Sequence, residues 1–179
     1  MSVFCNPDDA YRRQGFEPLM PKCRVGYIEA VSDEYFIMKG VTRVGYPDGY
    51  LLNRYDEVFR LDTNGEYEQR LMHLYNKLGQ QHAPFEAAGE NLLAAFFDCT
   101  LKKHLVVGVG IRDYNENSIY AFVKEIDCEN QTITLIDLND NGKETGGERL
   151  VYFDAVKQAE ISGEDEAKLQ LLNQIDIQV

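Results

Sequence analysis

Shifted by 98 positions, the segment from Gly49 to Leu74 lies on the segment from Gly147 to Leu172 without a gap. Gly49/Gly147, Leu52/Leu150, Asp56/Asp154, Val58/Val156, Gly65/Gly163, Glu66/Glu164, Glu68/Glu166, Leu71/Leu169 and Leu74/Leu172 are identical. A chain that matches itself in this way is expected to build the same local structure twice. Upstream the match continues as a pattern: VGYIEAV at 25–31 answers IYAFVKEI at 119–126, and YFIMKGV at 35–41 answers TITLIDL at 132–138. The loop that follows is longer in the second copy, and a turn is where a sheet tolerates an insertion.

Within each copy, compact runs rich in Val, Ile, Tyr and Phe are broken by Ser-Asp, Glu-Asn, Pro-Asp-Gly and Asn-Gly, the punctuation of hairpins. Strands are expected at 25–31, 35–41, 50–55 and 57–62, and again at 105–111, 119–126, 132–138, 149–153 and 156–161. The steps at Asp56 and Asp154 read as tight corners, where an aspartate bonds nearby backbone amides. A helix follows each set. Thr63 to Glu66 has capping-box spacing, Tyr67, Leu71, Leu74 and Leu78 share a face, and Gly79 supplies a left-handed close. Ser162 to Asp165 opens the second helix, with Leu169, Leu172 and Ile175 on its face.

Between the copies, a polar linker from Gly79 to Pro84 leads into the most apolar helix, from Phe85 to about Lys103, with Ala88, Leu92, Leu93, Phe96, Phe97 and Leu101. Its apolar width exceeds one face, which implies contact with both units at once. The expected fold is therefore α+β, mainly β: two tandem small, strongly bent β-barrel-like domains, each followed by an α-helix and joined by an apolar helix. The domains are 1–79, the linker and helix 80–104, and 105–179.

Short, strongly bent strands in sets of four or five followed by a helix resemble the small β-barrels of the SH3-like and Sm-like class. The double copy, with its Asp-x-Val corners and Gly-Glu helix starts, is also similar to uncharacterised bacterial proteins. That resemblance implies a fold and a cytosolic setting with no activity attached.

Composition narrows the function classes. Of 179 residues, 44% are apolar and 27% charged, as in a folded protein, and a fold needing about 250 residues, such as a (β/α)8 barrel, is excluded. The longest apolar run, Leu105 to Ile111, is far short of a membrane span, and Met1 to Asp9 lacks the basic-then-apolar order of a signal peptide. A cytoplasmic setting is expected. The net charge of −12 repels polyphosphate and disfavours nucleic acid. Cys5, Cys23, Cys99 and Cys128 contain no Cys-x-x-Cys pair, so reduced thiols are expected.

Two groups of residues carry candidate chemistry. Arg43, Tyr46, Tyr50, Arg54 and Arg60 combine bidentate donors with rigid stacking area, as ligand surfaces do, although Glu148 and Tyr152 replace Tyr50 and Arg54 in the second copy. Asp137 to Glu148 fits a calcium-loop pattern, with oxygens from Asp137, Asn139 and Asn141, a glycine at Gly142 and a closing carboxylate at Glu148. Its flanks read as strands, and an ordinary polar hairpin loop is the competing reading. His73, His82 and His104 have no metal-ligand spacing, and Gly108-Val109-Gly110 lacks the third glycine and following helix of a dinucleotide fingerprint. The glycines are read as a bend or bulge.

A non-enzymatic cytosolic binding or scaffolding protein is the expectation, with no cofactor, no membrane, and an unknown protein or small ligand as partner. Exposed barrel edges and the broad apolar helix leave room for a homodimer. The alternatives are an Sm-like nucleic-acid-binding module and a metal-dependent enzyme, the latter requiring carboxylates and histidines to meet in one pocket.

Overall fold

The computed structural model describes residues 2–5, 23–81, 83–86, 91–112 and 118–175. The first half supplies β1 (Ser2–Cys5), β2 (Cys23–Val31), β3 (Tyr35–Val41), β4 (Pro47–Arg54), a 3-10 turn (Tyr55–Glu57), β5 (Val58–Asp62) and helix α1 (Glu66–Lys77). Helix α2 (Leu92–Lys103) connects it to the second half. There β6 (Val106–Ile111), β7 (Ile119–Asp127), β8 (Thr132–Leu138), β9 (Glu144–Tyr152), a 3-10 turn (Phe153–Ala155), β10 (Val156–Ile161) and helix α3 (Glu164–Gln174) follow. The fold is α+β and mainly β.

The strands form one open antiparallel sheet in place of the expected two closed barrels. Eight strands run continuously as β2-β3-β4-β10-β6-β7-β8-β9, and β1 and β5 extend the sheet beyond β2. Barrel closure would require β4 to return to its own set. Instead β4 pairs with β10 of the other half, placing Asn53, Leu52, Leu51 and Tyr50 opposite Gln158, Ala159, Glu160 and Ile161. The SH3-like and Sm-like resemblance falls with the closed barrels. Neighbours nevertheless follow one order in both halves, β5-β1-β2-β3-β4 and β10-β6-β7-β8-β9. The strand without a counterpart in the sequence reading, β6, corresponds in this order to β1.

The seam between the halves leaves little room. Gly49 has φ +63, and a Cβ there would lie 2.2 Å from the Ile161 carbonyl oxygen on β10. Gly79, after α1, has φ +67 and open space around it. Alanine at Gly79 is expected to cost about 1 kcal/mol for its backbone conformation alone, whereas Gly49→Ala adds a backbone clash and is expected to cost roughly 3 kcal/mol. Urea midpoints of the two variants read the difference. Equal losses would show that the seam is loose.

One large core lies between α2 and the face of the sheet that it covers. Leu92, Leu93, Phe96 and Phe97 of α2 meet Tyr35, Ile37 and Leu52 from the first half and Val107, Val109, Ile133, Leu135 and Val151 from the second. The expected double contact of this helix is thus observed. It begins later than expected, at Leu92, where Asn91 caps it by accepting from the Ala94 amide. Ala88 and His82 lie outside the described residues. Smaller cores sit under the other helices: Leu71 and Tyr75 of α1 against Val41, and Leu169 of α3 against Val106 and Phe122.

Several local expectations need correction. Thr63 is not a cap; Gly65 and Gly163 occupy the N-cap positions without a side-chain acceptor, after Asn64 and Ser162 in the left-handed region. The buried face of α1 runs through Leu71 and Tyr75, and Tyr67, Leu74 and Leu78 are exposed. The corners at Asp56 and Asp154 are present as 3-10 turns, but Asp56 bonds arginines instead of local amides. No helix among the described residues is long and apolar enough to cross a membrane.

Candidate functional site

Arginine and tyrosine of the first expected cluster are dispersed. Arg43 and Tyr46 lie in the exposed β3–β4 turn, and Arg60 on β5 pairs with Asp62 at 2.9 Å. The Tyr50 hydroxyl donates to the Ala83 carbonyl at 2.7 Å, and its ring packs edge-on against Phe85. Arg54 is committed to the structure. It binds Asp56 through Nε at 3.0 Å and donates through Nη1 to the Tyr35 hydroxyl at 3.3 Å. That hydroxyl lies 3.1 Å from the Phe153 carbonyl and 3.0 Å from that of Val156, so a residue of the first half fastens the corner of the second. Arg54, followed by Arg112, holds the Asp56 carboxyl below its ordinary range.

The expected calcium-loop oxygens also diverge. Arg149 takes Asp137 in a two-pronged ion pair, with Nη2 at 2.8 Å, and Lys124 takes Glu148 at 2.5 Å. Asn139 accepts from the amides of Asn141 and Lys143 and so shapes the turn. Glu148 stands opposite Ile136, whereas Arg149 stands opposite Leu135. Side chains alternate across a strand, so Glu148 and the Arg149-bound Asp137 point to opposite faces. Among the described residues, no three of His, Cys, Asp and Glu converge to hold a metal ion.

The residues that do converge form an acidic pocket of ≈ 440 Å³ on the sheet face opposite α2, over the β4–β10 seam. Arg24 of β2, Asp48 of β4, Tyr120 of β7, Gln158 and Glu160 of β10, and Glu164, Asp165 and Glu166 from the first turn of α3 line it. Gly108 allows this arrangement, since a Cβ there would lie 2.5 Å from Glu166 Oε1. Gly163 does the same on the other side, where a Cβ would approach Glu160 Oε1 and Glu166 Oε2 to 2.6 Å each. Gly108 therefore marks a space for a carboxyl on β6, and Gly110 stands opposite Gln158 where β10 shifts register, beside the expected bulge.

Among the described residues, five carboxyls share this pocket with one guanidinium. Arg24 binds Glu160 at 2.6 Å and lies 3.7 Å from Asp48, and Tyr120 donates to Asp165 at 3.3 Å. Glu166 is only 4% exposed, and no other described residue donates a hydrogen bond to its carboxyl. Burial, then the charge of Glu160, raises its pKa to about 7. Burial and the charges of Asp165 and Glu166 likewise push Tyr120 up to about 12. The N-terminus of α3 and the charge of Arg24 favour the ionised form and offset part of the cost, but burying the carboxylate is still expensive.

A wider cleft of ≈ 580 Å³ opens near Ser32–Tyr35, Asn91–Leu93 and Tyr152–Asp154. Several of its polar groups are occupied within the fold, Ser32 by Tyr35, Asn91 by Ala94 and the Tyr35 hydroxyl by the second corner. None of the pocket carboxyls was among the sequence candidates. The available signal was the identity of Glu68 with Glu166 in the Gly-Glu-x-Glu starts of both helices. Comparison with protein-family models, curated proteins and solved structures finds no match.

Proposed function

We propose that this chain is a non-enzymatic binding protein that receives an organic cation, an ammonium or guanidinium head group, in the acidic pocket. The supporting observation is Glu166, a carboxyl buried beside Glu160 that forms no ion pair among the described residues, Arg24 being engaged by Glu160 and Asp48. A pocket of this size accepts such a head group and its aliphatic stem. The surplus of 30 acidic over 18 basic residues draws cations towards it from a distance. Arg24 itself shows how a planar guanidinium fits between carboxylates of this pocket.

Calorimetric titration with capped Gly-Lys-Gly and Gly-Arg-Gly peptides, and with spermidine as a non-peptide source of the same chemistry, tests the reading. Binding requires ionised Glu166, facing Glu160, Glu164, Asp165, Asp48, Arg24 and Tyr120. Affinity at low salt is therefore expected to fall about tenfold between pH 8 and pH 6, where only a small fraction of the carboxyl is ionised. Glu166→Gln is expected to weaken binding and to flatten this pH profile. No binding of any of the three cations at pH 8 in low salt would exclude the proposal, as would a Glu166→Gln profile identical to that of the unchanged protein.

A further inference from the structure

Among the described residues the sheet ends in two strands with an unpaired side, β5 at one end and β9 at the other. The seam shows how such strands join in this protein. In the common order of the halves, β9 holds the place of β4, and β5 holds the place of β10. The 98-residue correspondence then carries the observed β4–β10 register onto the two ends. Leu52 opposite Ala159 becomes Leu150 opposite Leu61, and Leu51 opposite Glu160 becomes Arg149 opposite Asp62.

Both consequences favour contact. Leu61 and Leu150 are 53% and 59% exposed, large apolar side chains on the two sheet edges, and the transferred register brings them together. Arg149 and Asp62 carry opposite charges. Each already has an ion-pair partner, Asp137 and Arg60, so their approach makes an alternating network of four charges. Neither strand contains a proline to block strand addition.

We infer that copies of this chain associate head to tail, β9 of one copy adding antiparallel to β5 of the next. The two surfaces differ, so each added copy presents another edge of each kind. The contact lies away from the acidic pocket and does not depend on what binds there.

Leu61→Glu and Leu150→Glu are substitutions at exposed positions, and each blocks one of the two edges; unchanged circular dichroism confirms the fold of each. In sedimentation velocity at rising concentration, the unchanged protein is expected to reach twice the monomer mass and more. Each variant alone is expected to remain a monomer. An equimolar mixture of the two should double in mass and grow no further, because one intact β9 and one intact β5 remain to meet. Three results would each overturn the inference: a protein that stays monomeric up to its solubility limit, variants that associate as the unchanged chain does, or a mixture that stays monomeric.

Discussion

Replacing Glu166 by glutamine is expected to leave the melting temperature unchanged near pH 4 and to raise it by several degrees at pH 8. The ordinary pKa of this carboxyl is 4.5, and in the fold it is raised to about 7. Below the lower value both the folded and unfolded chains hold the proton, and the group contributes nothing. As pH rises through the interval, the unfolded chain releases its proton first and gains stability relative to the fold. Above the upper value the buried carboxylate costs the fold a constant amount, about 3 kcal/mol as an upper figure for that shift. Glutamine keeps the shape of the protonated acid at every pH, so the variant avoids the loss.

For a chain of this size each kcal/mol moves the melting temperature by roughly 2–4 °C. Thermal melts of both proteins at pH 4, 6 and 8 would show the difference growing across the interval. A difference that is the same at all three would mean that the carboxyl titrates alike in the folded and unfolded chains. Carboxyls with lowered pKa, such as Asp56 and Asp127, act in the opposite direction at lower pH, and they cancel in the comparison because both proteins carry them. The cation proposed for this pocket would bind the ionised form and so offset the cost.

Much of the sheet was legible because its signals are local. The hairpins at 35–41 and 132–138 are bounded by turn residues and follow a strand period, and the observed strands occupy those positions. Ser2–Cys5, a strand of four residues, has too little pattern to stand out in the sequence. Barrel closure has no such local signal. Which edge strand pairs with which depends on tertiary choice, and β4 joins β10 across more than a hundred residues. The pocket is the extreme case. Arg24, Asp48, Tyr120, Glu160 and Glu166 come from four strands and a helix, and no short spacing relates them. Of the residues expected as a ligand surface, Arg54 has its hydrogen bonds on Asp56, the Tyr35 hydroxyl and the Asp154 carbonyl, whereas Tyr50 bonds the Ala83 carbonyl and Arg60 pairs with Asp62.

Phe96→Ala is expected to produce the largest loss of stability, about 3–5 kcal/mol, and to unfold both halves together. The ring is fully buried, stacks on Phe85 at 5.5 Å and meets Phe97 edge-on at 5.9 Å. Truncation leaves a cavity where α2 touches strands of both halves, among them Ile37 and Leu52 on one side and Val107 and Leu135 on the other. A domain holds about 5–15 kcal/mol in total, so the variant should be close to unfolding at moderate temperature. The chain has 11 tyrosines and no tryptophan, so tyrosine fluorescence and far-UV circular dichroism can follow urea unfolding independently. Because β4 and β10 share one ladder and α2 closes one core over it, the two signals should fall in a single coincident transition, shifted to lower urea in the variant. Two separated transitions would mean that one half keeps its structure without the other. The seam and the helix would then be a contact between independent units, and the shared core would not be what makes the fold cooperative.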